Sequence, residues 1–354
     1  MSSVYLRVLA IILGTFVFNC YGKEFEPAER VKGGVYASRE LDDIPRVGFG
    51  TAGMGQWTTE SVCLALRSGF RLIDTAQAPE WYSEELLGEA LARCWGHKSI
   101  DELLVVTKVL TLTLTLTLTL TLTLIPKQKV HPRSYGSLVF RASLETSRRN
   151  IYGKISGVDA GRPLDAVLLH APFCWEGHCN DDEVVPWQDA WRELEKAQSE
   201  ELVTAIGVSN MDVEKLEELL SFADIKPAIV QNWMDPFHQD KHVRSLCRLH
   251  NIAYMAYSTF GTQWGHKHKS NPVMTSTVLN EIAVKYDRHV TDVVLSWAIQ
   301  SPNVVVLPRS TQAPHIASNA ALLPEPGTDT YRAFLSKDDW MRIDELDGSI
   351  GSLW

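Results

Sequence analysis

Hydrophobic and polar positions alternate regularly along the chain from Asp43 onward. Short apolar runs, typical of buried strands, are separated by longer stretches in which apolar residues recur at helical spacing. The apolar runs predict eight strands: Arg46–Gly50, Phe70–Asp74, Leu103–Lys108, Ala166–His170, Thr204–Ser209, Ala228–Gln231, Ala253–Ser258 and Val304–Leu307. The other stretches predict helices: Thr59–Ser68, Ser83–Cys94, Tyr135–Ile151, Trp187–Glu200, Val213–Phe222, His242–Leu249, Val278–Tyr286 and Thr291–Gln300. Eight strands alternating with helices predict an α/β fold, a (β/α)8 TIM barrel with its active site at the C-terminal face of the strands.

One segment interrupts this pattern after the third strand. Residues 110–124 alternate leucine and threonine without a break. The alternation is typical of a strand, but at ~3.3 Å per residue this strand would be about 50 Å long, and no barrel element needs that length. Without Leu110–Val130, Val109 would join His131 through a loop of ordinary length. We interpret 110–130 as a low-complexity insertion at the active-site face, with a functional lid as the alternative.

The N-terminus differs in character from the rest of the chain. Met1–Arg7 carries one positive charge, Val8–Phe18 is apolar, and small or polar residues follow in Asn19–Lys23. This order is typical of a secretory signal peptide, and the apolar run is too short to span a bilayer comfortably. We therefore predict a signal-like segment at 1–23, followed by a barrel over 24–354. The predicted destination is the secretory pathway, or an organelle reached through it. If 1–23 is only an apolar extension, the protein is cytoplasmic.

Composition and charge narrow the classes of partner. Hydrophobic residues make up 45% of the chain, enough for a sizeable core. The net charge of −9 argues against a nucleic-acid partner, because no basic stripe is available to neutralise phosphates. Cys174 and Cys179, near His170 and His178, form the one cysteine cluster. No second Cys/His pair completes it, so no metal site is predicted.

A glycine motif near the first strand raises a rival fold. Gly48–Gly53 matches G-x-G-x-x-G, and Asp74 follows about twenty residues later, as in dinucleotide-binding Rossmann domains. A Rossmann turn needs a strongly apolar strand before the motif and a helix opening at its last glycine. Here Asp43–Arg46 precedes the motif and Met54–Trp57 delays the helix. The Rossmann fold, with an open sheet, is therefore the minor alternative.

Four ionisable residues stand at or just after the ends of consecutive predicted strands. Asp74 ends the second strand, and Tyr82 follows in the next loop. Lys108 ends the third strand, and His170 ends the fourth. Each taken alone could be an ordinary surface or core residue. Because the ends of barrel strands converge in space, their joint placement indicates a catalytic site.

These residues, with several further motifs, resemble the aldo-keto reductases. That family carries an Asp, Tyr, Lys, His tetrad in this chain order and at these strand ends, so the resemblance implies Asp74, Tyr82, Lys108 and His170 as the catalytic residues. The similarity extends from about Ile44 to Asn319. It includes the segments Gly207–Asn210, Gln231, Ala256–Ser258, Trp297–Gln300 and Val306–Ser310.

The chemistry of carbonyl reduction explains the need for these residue types. Hydride transfer leaves negative charge on the carbonyl oxygen, so a proton donor must stand beside that oxygen. We predict Tyr82 as this general acid. A free tyrosine titrates near ~10, and a hydrogen bond from cationic Lys108 would lower its pKa. Asp74 would pair with Lys108, and His170 would position and polarise the carbonyl.

The resemblance also implies a nicotinamide cofactor, NADPH with NADH as the alternative. Ser209, Asn210 and Gln231 are expected to bind the nicotinamide carboxamide, Tyr257 to stack on the ring, and Arg309 with Ser310 to bind phosphate. The full set of implied cofactor contacts is Thr51, Ser209, Asn210, Gln231, Tyr257, Ser258, Arg309, Ser310, His315 and Asn319.

Three positions depart from the family pattern. The spacing from Asp74 to Tyr82 is longer than in much of the family, which makes Trp81 a competing position for the tyrosine. Lys129-Val130 repeats Lys108-Val109 across the insertion, so Lys129 is an alternative for the catalytic lysine. His315 stands where the family often has an arginine for the 2′-phosphate.

The predicted function is NADPH-dependent reduction of aldehydes or ketones to alcohols. The alternative is a cofactor-binding, catalytically weak barrel with a regulatory or redox-sensing role, which the insertion after Lys108 favours. A small-molecule carbonyl substrate, a monomer, and no stable membrane association after signal removal are expected. Four aromatic residues suggest an apolar pocket rim: Trp175, Trp233, Phe237 and Trp264.

Overall fold

The structure is a computed structural model that describes residues 44–95, 99–109, 132–159, 161–173, 186–266, 270–325, 328 and 330–351. All of these residues belong to the compact unit Ala37–Trp354. The signal-like segment 1–23 and the insertion 110–130 lie outside the described residues, so the domain boundaries predicted from the sequence stay predictions.

Eight parallel strands form one sheet in chain order. They are β1 Phe49–Gly50, β2 Leu72–Asp74, β3 Leu104–Val109, β4 Leu164–Leu169, β5 Val203–Ser209, β6 Ile229–Trp233, β7 Ala253–Tyr257 and β8 Val304–Val306. A bridge between Val47 and Val306 closes the sheet, with Gly48 N donating to Val306 O over 2.8 Å and Val306 N to Arg46 O over 2.8 Å. The predicted barrel is confirmed. The alternative prediction of an open Rossmann sheet is wrong, because the segment of the first strand pairs with the last strand.

Helices separate the strands, and two further helices, among the described residues, follow β8. The helices are α1 Thr58–Arg67, α2 Glu84–Cys94, α3 Pro132–Tyr152, α4 Trp187–Ser199, α5 Val213–Phe222, α6 Lys241–Leu249, α7 Pro272–Thr275, α8 Thr277–Tyr286, α9 Val290–Gln300, α10 Ala313–Ala320 and α11 Lys337–Asp344. The predicted helix Val213–Phe222 is confirmed residue for residue, and the other predicted helices differ at their ends by one to three residues. The short helix α7 and the C-terminal helices α10 and α11 were not predicted.

Burial of both faces explains why the strands read as continuous apolar runs. All six residues of β3 are buried, including the polar Thr107 and Lys108. One face of a barrel strand packs into the barrel interior and the other against the helices, so no residue of the strand faces water. A polar residue in such a strand therefore needs a partner inside the protein.

The first strand, Phe49–Gly50, is shorter than predicted, and Gly48 just before it sits in a crowded position. A Cβ atom there would lie 2.6 Å from Leu72 Cγ and 2.8 Å from Leu307 Cδ2. Glycine lets the backbone pass between these side chains without moving them. Gly48, the first glycine of the motif that resembles a phosphate-binding fingerprint, thus stands where the sheet closes and donates its N–H to Val306 O.

A disulfide joins Cys63 of α1 to Cys94 of α2, which the sequence analysis did not predict. Cys247 is buried with a free thiol. The cluster around Cys174 and Cys179 lies outside the described residues. Within the part of the chain that the structure describes, no group of histidine, cysteine and acidic side chains is placed to hold a metal. Across the same residues, no helix is both long enough and apolar enough to cross a membrane.

Candidate active site

The four ionisable residues predicted from the sequence meet at the C-terminal mouth of the barrel. Asp74 ends β2 and Lys108 is the last but one residue of β3, whereas His170 comes directly after β4. Lys108 Nζ donates to Asp74 Oδ1 over 2.6 Å and to Thr75 O over 2.8 Å, and the lysine is only 1% exposed. The structure thus contains a buried ion pair at the predicted position.

Tyr82 reaches the same point from the loop between β2 and α2. Its ring centroid lies 5.1 Å from Lys108 Nζ and 6.2 Å from the ring centroid of His170. A turn shapes the loop, in which Tyr82 N donates to Ala78 O over 2.7 Å. Trp81, the competing residue, is 60% exposed. Tyr82 and not Trp81 therefore contacts the ion pair.

Lys108 and Tyr82 both lie in the described part of the chain, and the hydrogen bond expected between them is not formed. Lys108 directs its ammonium group to Asp74 and Thr75 and lies against the tyrosine ring instead. Burial, reinforced by the Asp74 and Tyr257 charges, raises the pKa of Tyr82 well above its ordinary value, against a lowering by Arg309. The predicted lowering of the tyrosine pKa is wrong, because the loss of hydration outweighs the nearby cations.

Burial also governs the other two titratable groups. It lowers the pKa of Lys108, an effect that Asp74 opposes by its charge and its hydrogen bond. Burial, followed by the positive charge of Lys108, lowers the pKa of His170 to about 3. His170 is therefore a neutral imidazole near pH 7, with one N–H donor and one acceptor nitrogen.

The residues expected to bind the nicotinamide carboxamide line the ends of β5 to β7. Asn210 Nδ2 donates to His170 O over 2.7 Å, and Asn210 Oδ1 accepts from Tyr257 Oη at 2.5 Å. Ser209 Oγ donates to Gln231 O over 2.6 Å, and Gln231 Nε2 donates to Asp74 Oδ1 over 2.8 Å. These side chains form one hydrogen-bonded network that includes the ion pair.

Two residues that directly follow strands, Asn210 after β5 and Ser258 after β7, have left-handed backbone conformations. Asn210 has φ 58° and Ser258 has φ 54°, values that are uncommon outside glycine. Both turn the chain sharply at the mouth, where strained positions often accompany function. On the opposite side of the mouth, Thr51 N and Oγ1 both donate to Asp74 O, at 3.0 and 2.9 Å.

The residues expected to bind phosphate follow β8. Arg309 is exposed and makes no hydrogen bond or ion pair within the described residues, and its guanidinium lies over Gly53, where an added Cβ would be 3.4 Å from Nη1. Ser310 Oγ accepts from Gln312 N over 3.0 Å. His315, exposed, and Asn319, buried, lie on α10. The described contacts connect neither residue to the four ionisable residues, whereas Arg309 reaches Tyr82 electrostatically.

Comparison with known proteins decides the family. The model of the aldo/keto reductase family matches residues 46–347, most of the chain. The chain belongs to the aldo/keto reductase family. It is accordingly an oxidoreductase, built on the barrel described above.

Individual relatives agree with this membership. The chain is similar to a (1S)-1,7-diacetoxy-luvungin A aldo-keto reductase of Citrus sinensis, with 31% identity over 87% of this chain and 88% of the relative. It is also similar to NADPH-dependent codeinone reductase 1-4 of Papaver somniferum, with 31% identity over 73% of this chain and 74% of the relative. An aldo-keto reductase of Bombyx mori, solved in complex with NADP, shares the fold with a TM-score of 0.65 at 23% identity, over 86% of this chain and 89% of that one.

The sequence analysis did not single out Glu84 and Asp235, which are among the buried carboxylates of this aldo/keto reductase. Glu84 stands in the first turn of α2, where an acidic residue is ordinarily explained by the helix dipole. Asp235 follows β6, and its Oδ2 accepts from the indole nitrogens of Trp233 and Trp264, both at 2.8 Å. Burial raises the pKa of Asp235 to about 6. These two hydrogen bonds to Asp235 hold the indole rings of Trp233 and Trp264 in place.

Some of the remaining site residues predicted from the sequence lie in the described part of the chain, and others lie outside it. Trp233 ends β6, whereas Phe237 follows β6 and Trp264 follows β7. All three aromatic residues are buried. Trp175 and the alternative lysine, Lys129, lie outside the described residues. The sequence could have indicated Glu84 by its position two residues after Tyr82, had the helix N-terminus not offered a simpler explanation.

Proposed function

We propose that this protein reduces aldehydes or ketones to alcohols with NADPH as the reductant. The observation that carries the proposal is the buried Asp74–Lys108 ion pair at the barrel mouth, with Tyr82 against it. A buried ion pair is costly to desolvate, and such pairs with perturbed pKa values concentrate at functional sites. The codeinone reductase relatives are NADPH-dependent reductases, which supports the same chemistry.

Each of the four ionisable side chains has its own role in protonating the carbonyl oxygen. When bound, the cofactor supplies a hydride. Tyr82, whose pKa burial raises above its ordinary value near ~10, is protonated near neutral pH and donates its proton to the developing alkoxide. The positive charge of Lys108 offsets the charge that then develops on the phenolic oxygen, and Asp74 holds the lysine in place. Neutral His170 donates a hydrogen bond that orients the carbonyl.

The residues at the mouth fit a nicotinamide cofactor with a phosphate group. Arg309 offers an exposed guanidinium that makes no ion pair among the described residues, so it is available to bind a phosphate. Asn210 and Gln231 offer amide groups that match a carboxamide in donor and acceptor types. Arg309, Asn210 and Gln231 would therefore hold the cofactor, with Tyr257 beside its ring.

Replacing Arg309 with alanine is expected to raise the KM for NADPH by about 10- to 100-fold, since a hydrogen bond to a charged group contributes roughly 1.5–3 kcal/mol. The KM for NADH, which has no 2′-phosphate, is expected to change much less. Initial rates with each cofactor at a saturating aldehyde measure both values. Arg93→Ala, which removes an exposed arginine on α2, is the matched control. Equal KM values for NADPH in Arg309→Ala and the unmodified protein would remove Arg309 from the cofactor site.

We also propose that the chain enters an oxidising compartment through the secretory pathway. Two features support this. The first is the signal-like order of residues in 1–23, and the second is the disulfide between Cys63 and Cys94. Disulfides persist in secretory compartments and are rare where glutathione keeps thiols reduced.

Fusion of Met1–Lys23 to a fluorescent reporter is expected to send the reporter into the secretory pathway. In the full-length protein from the same cells, Cys63 and Cys94 are expected to resist alkylation until a reductant is added, and peptide mapping by mass spectrometry detects this. The same fusion with a charged residue in the apolar run serves as the control. A diffuse cytosolic reporter, together with alkylated Cys63 and Cys94, would contradict the proposal.

A further inference from the structure

Glu84 is a second buried carboxylate close to the candidate active site. It is 7% exposed, and its nearest partners are neutral donors. Thr107 Oγ1 donates to Glu84 Oε1 over 2.7 Å, and Ser147 Oγ lies 2.7 Å from each carboxylate oxygen. The side chain of Asn150 adds a further hydrogen bond.

The partners of Glu84 belong to the elements that carry the reacting groups. Glu84 begins α2, two residues after Tyr82, and Thr107 immediately precedes Lys108 in β3. The carboxylate therefore joins the segment that bears the proton donor to the strand that bears the lysine. Ser147 adds α3 to this connection.

Two further contacts support the same connection. Gln77 Nε2 donates to Ser147 Oγ over 2.7 Å, and Gln77 N donates to Lys108 O over 2.9 Å. Gly88 lets α2 approach α3 closely, because a Cβ at that position would collide with Asn150 O. The loop between β2 and α2 is thus held on two sides.

Burial is the main influence on Glu84 and raises the pKa of its carboxyl group. The hydroxyl groups of Thr107 and Ser147 and the amide of Asn150 act in the opposite direction, because each stabilises the carboxylate by donating to it. Lys108 is the cation that contributes to Glu84 electrostatically, and Glu84 in turn favours the charged form of Lys108.

We propose that Glu84 is a positioning residue for the reduction, acting as a second counter-charge, after Asp74, that keeps the buried Lys108 protonated beside Tyr82. This inference rests on the proposed function. Glu84 does not touch the reacting atoms in this role. It acts through the charge of the lysine and through the placement of the tyrosine loop.

The charges near Lys108 determine whether the loss of the Glu84 charge raises or lowers the pKa of the lysine. Asp74 from β2 and Glu84 from α2 favour the cation, whereas the burial of the lysine disfavours it. Tyr82 lies against the ammonium group, whose positive charge also contributes to the lowered pKa of His170. Removing the charge of Glu84 leaves Asp74 as the remaining counter-charge, so the pKa of Lys108 falls.

Replacing Glu84 with glutamine tests the proposal through the pH profile of kcat/KM for carbonyl reduction. Reduction needs a protonated Tyr82–Lys108 pair, so activity falls as the pH rises through the pKa of that pair. In E84Q this fall is expected about one pH unit lower, the size of a nearby-charge effect. Glu85→Gln is the matched control, because it removes the same charge from the neighbouring, exposed position of α2. A profile of E84Q that coincides with that of E85Q would overturn the proposal.

A second readout does not depend on activity. In protein labelled with ¹³Cε-lysine, the Lys108 resonance, assigned by its loss in Lys108→Met, is expected to titrate at lower pH in E84Q than in E85Q. If neither the unmodified protein nor E85Q reduces any carbonyl, the proposed function fails, and the titration still tests the charge coupling. Equal Lys108 titrations in the two variants overturn the inference.

A third variant covers the case in which E84Q does not fold. Ser147→Ala removes the hydroxyl that contacts both carboxylate oxygens and leaves the glutamate in place. It favours protonation of Glu84, so the Lys108 titration is expected to move in the same direction as in E84Q, by a smaller amount. An unchanged titration in Ser147→Ala, with far-UV circular dichroism showing a folded protein, contradicts the role of Glu84.

Discussion

Replacing Tyr82 with phenylalanine is expected to lower kcat/KM for carbonyl reduction by about 10³-fold, the middle of the range for losing a general acid. The substitution deletes the phenolic O–H and keeps the ring that lies against Lys108 and His170. Cofactor binding is expected to stay nearly unchanged, because the hydroxyl makes no hydrogen bond to the residues expected to hold the cofactor. Initial rates and NADPH fluorescence titration measure the two effects separately.

The neighbouring tryptophan provides the control for this experiment. Trp81 occupies the competing position in the sequence, but its side chain is mostly exposed. Trp81→Phe is therefore expected to retain most of the activity. If Trp81→Phe were inactive and Tyr82→Phe active, the proton donor would have been assigned to the wrong residue of the loop.

Replacing Lys108 with methionine is expected to lower the free energy of unfolding by about 3–5 kcal/mol, the usual cost of removing one partner of a buried ion pair. Methionine has a similar length and fills the same space, so the loss comes from the charge and not from a cavity. The substitution leaves the carboxylate of Asp74 buried with its hydrogen bond from Gln231 but without its cation. Urea denaturation followed by circular dichroism measures the change.

An exposed lysine in a similar ion pair is the matched control. Lys154 pairs with Glu89 over 2.8 Å, and both side chains are nearly half exposed. Lys154→Met is expected to change the free energy of unfolding by less than about 1 kcal/mol, because water screens exposed pairs. Equal losses in the two variants would show that the Asp74–Lys108 pair gains nothing special from its burial.

The barrel could be predicted from the sequence because its parallel strands are buried on both faces. The β3 segment shows the principle, since its apolar run continues up to the lysine that ends in the active site. The position of Lys108 in that run also predicted the ion pair with Asp74, because the ends of neighbouring strands converge. The close packing at Gly48 was harder to predict, since the side chains that crowd it, Leu72 and Leu307, are far away in the sequence.

Contacts between distant segments account for what the sequence could not predict. The pairing of Cys63 with Cys94 depends on how α1 packs against α2, and cysteine spacing alone does not contain this information. The direction in which the Tyr82 pKa shifts depends on burial. The sequence analysis considered only the charge of Lys108 and therefore predicted the opposite direction. The hydrogen bond from Gln231 to Asp74 joins residues that were assigned to separate roles.

Transfer of deuterium from labelled NADPH tests the central claim most directly. The protein would be incubated with NADPH deuterated at C4 of the nicotinamide and a panel of aldehydes and ketones, and the products analysed by mass spectrometry. The account predicts an alcohol one mass unit heavier than the product formed with unlabelled NADPH, and formation of that alcohol about 10³-fold more slowly with Tyr82→Phe. Bound cofactor with no labelled alcohol from any carbonyl would contradict the reductase function and favour a regulatory, cofactor-binding barrel.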